Sequence, residues 1–137
     1  MRTHLLRVAS PAEGFAPLFA AAREAGMRVG WLELRPPEGA PPSLERAAGC
    51  GALRAVAVGG GRSVAVKTLR GAPVLGDLLR EHFAGCAVVL AAGEVDAPLV
   101  AVDGDGWRVT TAGAARRLAT ADLLAELRRP RPFAAPG

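Results

Sequence analysis

Two short stretches carry the residues that could do chemistry. The first is the bend Ala9–Ala16, ASPAEGFA, which lies between an apolar run and an amphipathic stretch. A loop that grips a triphosphate needs glycines for a tight turn and a Lys to reach the outer phosphates. It also needs a Ser or Thr to hold magnesium. Here Gly14 is kept, Phe15 stands at the Lys position and Ala16 at the hydroxyl position, while Glu13 adds a negative charge. The free N–H groups of the helix that follows would leave only weak anion binding. The second stretch follows the apolar run 86–92: Gly93, Glu94 and Asp96 sit at its carboxyl end, where open α/β sheets place ligands. The competing reading of these acids is a solvated polar loop.

Other constellations are weaker. His4, His82, Cys50 and Cys86 lack metal-ligand spacing. The Asp/Gly alternation at 103–106 begins like a calcium loop but lacks the closing Glu, and it reads as a turn. Gly59-Gly60-Gly61 could cradle an anion, but apolar runs on both sides favour a tight reversal. Asp77 and Glu81, four apart beside Arg80, suit a solvated helix face better than acid/base work. There is no Gly-x-Ser-x-Gly elbow, and Lys67 alternates with apolar neighbours as an outward-facing strand residue does.

The elements that must position these residues follow from periodicity. Leu5, Leu6, Val8 and Ala9 form an apolar run suited to a strand covered on both faces. Phe15, Leu18, Phe19 and Ala22 recur at helical spacing, with Pro17 in the first turn and Gly26 at the end. Val29, Trp31, Leu32 and Leu34 mark a second strand. RPPEGAPP, from Arg35 to Pro42, is irregular because its four prolines forbid helix interior and central strand. Ser43 is expected to cap a short helix over 44–48. Strands are expected over 53–58 and 63–69, a helix opened by Pro73 over 74–83, and a strand over 86–92. Two short strands flank 103–106, and a last helix over 121–128 is capped by Thr120 and stopped by Pro130. Strands alternating with helices, several of them apolar throughout, predict a three-layer α/β/α sandwich around a mostly parallel sheet. Its antiparallel edge strands are expected from the hairpins at 59–61 and 103–106. One domain over 1–129 and a frayed tail over 130–137 complete the expected organisation.

Composition narrows the function classes. The 137 residues are half apolar and carry a net charge of +4; sixteen of the seventeen basic residues are Arg. These are dispersed, apart from Arg116–Arg117 and Arg128, Arg129 and Arg131, so no concentrated basic patch argues for nucleic acid. No apolar run is long enough to span a membrane. Two cysteines are too few for a disulfide scaffold, and the first residues lack a signal-peptide pattern. The expectation is a cytoplasmic protein with two reduced, buried thiols.

The ordered series GFAPLFAAAREAGMRVGWLELR, SLERAAGCGALRAVAV, SVAVKTLRGAPVLGDLLREHF and CAVVLAAGEVDAPLVAV resembles the molybdopterin-guanine dinucleotide biosynthesis protein B family, MobB. The resemblance covers roughly residues 2–112 by pattern more than identity. It implies a P-loop-NTPase-like fold and, in the family, GTP and magnesium as ligands. This chain departs from the family where the chemistry lies. RPPEGAPP replaces the His/Asp-rich segment, Ala92 replaces the acid of the family's "VEG" while Gly93 is kept, and both phosphate-gripping residues are absent. The resemblance therefore implies a non-catalytic, degenerate relative without a retained cofactor or metal. Such a relative would assist molybdenum-cofactor maturation by binding a partner protein or the cofactor, with a homodimer possible and no nucleic acid or membrane involved. Two alternatives stay open: an enzyme binding nucleotide or a phosphorylated ligand at an altered site built from Pro11–Gly14, Glu94 and Asp96, and a small interaction module unrelated to cofactor synthesis.

Overall fold

The computed structural model describes residues 3–9, 11–34, 41–69, 71–72 and 74–133. Ser10, residues 35–40 and Pro73 lie outside the described residues, so the expectations for the Pro-rich segment and for the start of the third helix are left there. Contacts divide the chain into two compact units, one of Met1–Arg35 with Glu81–Gly137, the other of Pro36–Arg80.

The larger unit is built on a six-stranded mixed sheet. Its strands are β1 (His4–Val8), β2 (Val29–Glu33), β5 (Val88–Ala92), β6 (Leu99–Asp103), β7 (Gly106–Thr111) and β8 (Ala114–Leu118). They are ordered β2-β5-β1-β6-β7-β8. The first four are parallel, and β7 and β8 continue the sheet antiparallel. This is the mostly parallel α/β sheet with antiparallel edge strands that the alternation of elements predicts. Four consecutive residues of β5, Val88 to Ala91, are buried, as a central strand covered on both faces requires.

Register sorts the side chains. Leu6, Leu90 and Trp31 are aligned across β1, β5 and β2. Together with Val8, Val88, Val100, Trp107 and Val109 they face the core. The helices α1 (Ala16–Glu24) and α4 (Thr120–Leu127) close that core with Leu18, Ala22, Leu123 and Leu127. On the other face Gly30 lies opposite Val89, and a Cβ at Gly30 would come within 2.5 Å of the Phe83 ring. Glycine is what lets that ring reach the sheet. Phe133 packs against the core, and its backbone N–H donates to Glu126 Oε1 at 2.6 Å, inside the segment expected to fray.

The smaller unit contains α2 (Pro42–Gly49) and the hairpin β3 (Arg54–Gly59) and β4 (Arg62–Lys67). The reversal turns on Gly60 and Gly61, whose φ values of 59° and 75° are those of a type I′ turn. The turn reading of the triple glycine holds. The hairpin does not add edge strands to the main sheet, however; it forms a two-stranded sheet of its own. The boundary in sequence between the units, after Arg80, falls within α3 (Leu75–His82).

Three local expectations are corrected. The α2 cap position is Pro41, without a side-chain hydrogen bond, and Ser43 lies inside the helix. At α4, Ala119 occupies the cap in an extended conformation. Thr120 is the first helical residue, and its hydroxyl accepts the Trp107 indole N–H at 2.9 Å. The thiol of Cys50 is exposed rather than buried; Cys86 is half-buried, and both are free. Among the described residues no helix is long and apolar enough to cross a membrane.

Candidate functional site

A cleft of about 440 Å3 opens at the carboxyl ends of the three adjacent parallel strands β1, β5 and β2. This is where a parallel sheet leaves room for a ligand, because the chain departs from the strand ends toward its helices. β1 and the turn after it contribute Arg7, Pro11 and Glu13, and β2 contributes Trp31, Glu33 and Leu34. Gly93 and Glu94 come from the end of β5.

The turn after β1 does not form a cradle. Residues Ala12–Phe15 make one tight 3-10 turn that runs directly into α1. Two of its amides are bonded locally: the Gly14 N–H donates to the Pro11 carbonyl at 3.1 Å, and the Ala16 N–H donates to the Glu13 carbonyl. Those two backbone donors are thus not available to an anion.

The Phe15 ring leaves the cleft altogether. It is fully buried, stacks on Trp107 at 5.3 Å and meets Trp31 at 5.8 Å, tilted by 55°. Trp31 in turn packs on Phe19 at 6.3 Å. An aromatic cluster therefore holds Phe15 in the core, away from the cleft. Its rings are tied to the sheet through Trp107 and to the cleft wall through Trp31.

Charge in the cleft is mostly negative. Glu13, Glu33 and Glu94 line it, with Arg7 the one cation among its described residues. Arg7 reaches Glu94 at 3.2 Å, but the Glu94 side chain is 92% exposed, so the pair is a solvated one. The Trp31 indole donates to Glu33 at 3.2 Å. Among the described residues no group of His, Cys, Asp and Glu comes together as a metal-ligand set. The site residues the fold family would need for GTP and magnesium do not fit here: the described lining offers no Lys and no hydroxyl, and its carboxylates would repel a polyphosphate.

Of the residues singled out in the sequence, Gly93 and Glu94 line the cleft. Gly93 has a reason to be glycine. Its φ is 136°, and a Cβ there would lie 2.8 Å from Leu34 Cβ. Asp96 is exposed and does not line the cleft, and Gly14, Phe15 and Ala16 are not part of its wall. Sequence reasoning passed over Arg7, Trp31, Glu33 and Leu34. The usable signal was their place at the carboxyl ends of two strands that periodicity had already located.

No family model matches the chain, and no curated protein matches it. Among solved structures it is similar to Bacillus subtilis MobB, with a TM-score of 0.52 at 17% sequence identity, covering 74% of this chain and 69% of that one. At that identity the likeness is one of architecture, and the fold of this chain is MobB-like.

Proposed function

We propose that this chain is a non-catalytic MobB-like accessory protein whose nucleotide site is degenerate, and that it assists molybdopterin-guanine dinucleotide biosynthesis through a protein partner or a second copy of itself. The observation that carries the reading is the buried Phe15. A side chain sealed between Trp107 and Trp31 cannot be replaced by bound ligand without opening the core. The acidic balance of the cleft and the locally bonded Gly14 and Ala16 amides support the same reading. Nothing in it requires the cleft to turn over a substrate, so the fold serves as a shape presented to a partner.

Isothermal titration of the chain with GTP and magnesium tests the loss. The expected outcome is no binding heat up to millimolar nucleotide. A micromolar Kd, equivalent to about 8 kcal/mol of binding free energy, would overturn it. The pathway assignment is tested by deleting the gene and assaying a molybdoenzyme that needs the dinucleotide cofactor. Reduced cofactor loading is expected, and unchanged loading contradicts the assignment.

A further inference from the structure

A second cavity, larger than the first, lies at the opposite end of the parallel strands. Its volume is about 690 Å3, within the range of small-molecule sites. Its walls come from the amino-terminal ends of β1 and β5 and the loop entering β2, where His4, Ala87 and Arg28 sit, and from the ends of α1 and α4. Met27, Ala25 and Leu127 give it apolar surface, and Arg28, Arg128 and Arg129 also line it. No carboxylate lines it among the described residues.

These arginines are not equally accounted for by the fold. Arg129 is paired with Glu126 at 2.8 Å. Arg128 donates through Nη2 to the Ala25 carbonyl at 2.9 Å, which satisfies a helix end but leaves most of its donor fork open. Arg28 has no acidic partner among the described residues and follows a glycine-ended helix rather than ending one itself. Its backbone is nevertheless fixed, because its carbonyl accepts the Ala87 N–H at 2.8 Å. Gly85, with φ 87°, lies beside it: the Gly85 Cβ position is at ordinary contact distance, 3.7 Å, from Arg28 Nη1.

A cavity with apolar walls and charges of a single sign focuses its field on an entering counter-ion. Guanidinium forks match the oxygen geometry of carboxylates and phosphates. We propose that this cavity binds a small organic anion, a carboxylate or phosphate monoester carrying an apolar body. Arg28 and Arg128 hold the anion, and Met27 and Leu127 cover the body. The site is separate from the cleft at the other strand ends, so it stands or falls independently of GTP binding there.

The test titrates the full chain with octanoate, octyl phosphate and neutral octanol, and follows backbone amide shifts by NMR. At least one anion is expected to bind about tenfold more tightly than octanol, with shifts centred on residues 25–28, 85–87 and 127–130. Whichever anion binds better identifies the head group. Arg28→Gln, at an exposed position that should leave the fold intact, is expected to weaken that anion about tenfold. The charge-matched Arg108→Gln, on β7 outside the cavity, is expected to leave it unchanged. Octanol binding as tightly as either anion, no binding of either anion, shifts confined to other residues, or an Arg28→Gln variant that binds normally would each overturn the proposal.

Discussion

Replacing Phe15 with Ala tests whether that residue belongs to the core or to a site. The ring is fully buried and touches two other aromatic rings, at 5.3 and 5.8 Å. Truncating a closed-in Phe costs about 3–5 kcal/mol through lost transfer energy and the cavity left behind. Aromatic pairs contribute about 0.5–1.5 kcal/mol each beyond buried area, and two are lost here, which places the expectation in the upper half of that range. Native domains hold only about 5–15 kcal/mol in total, so the variant should lose a large fraction of its stability. Urea unfolding followed by tryptophan fluorescence is a direct assay, because Trp31 and Trp107 flank the ring and both lie in the larger unit. The midpoint should fall sharply with little change in slope. Phe15→Lys should be worse still, since it places an ammonium group at a fully buried position packed on two aromatic rings, and it should gain no GTP affinity. A loss below about 1 kcal/mol for Phe15→Ala, or a stable Phe15→Lys that binds GTP, would refute the reasoning.

Further substitutions probe the rest of the frame. Gly93→Ala forces a left-handed backbone and a Cβ 2.8 Å from Leu34 onto the end of β5, and it should cost about 1–3 kcal/mol in urea unfolding. Thr120→Val removes the acceptor for the Trp107 indole and should cost about 1–2 kcal/mol by the same assay, because that buried N–H is left unpaired. For Glu126, burial works to raise the carboxyl pKa, but the Phe133 N–H, Arg129 and Arg116 outweigh it and hold the group below the usual 4.5. Its stabilisation is therefore present above the unfolded value and lost as pH falls through the folded one. Glu126→Gln should be clearly less stable than wild type near pH 7, with the gap closing as pH is lowered past 4.5; a gap constant over that range would contradict the assignment.

What the sequence disclosed and what it withheld have physical causes. The buried strands were legible because a strand covered on both faces must be apolar throughout, as Val88–Ala91 is. α1 was legible through its helical spacing, Pro17 in the first turn and Gly26 after the end. β8 was missed altogether: Ala114-Ala115-Arg116-Arg117-Leu118 has no apolar alternation, because it is an exposed edge strand whose pairing with β7 is imposed by the turn at Ala112–Gly113. The caps at Ser43 and Thr120 were misread because residue type alone does not reveal a competing partner, which for Thr120 is the Trp107 indole. The cleft was half legible. Gly93 and Glu94 were marked by following an apolar strand, whereas Arg7, Trp31, Glu33 and Leu34 come together only once β1, β5 and β2 are set side by side.

The loss of a ligand site proposed for the first turn is compatible with a kept fold for a physical reason. A phosphate-binding loop carries a standing cost, because its amides and cationic side chain are left unsatisfied until ligand arrives. Here the Gly14 and Ala16 amides are bonded within the turn, and Phe15 packs on Trp107 and Trp31 instead of facing solvent. On the proposed reading this arrangement stabilises the unliganded state, while Leu6, Val8, Val88 and Leu90 share one core with residues of α1 and α4. On this account nucleotide should add no stability, and the melting temperature of the chain should be the same with and without millimolar GTP and magnesium.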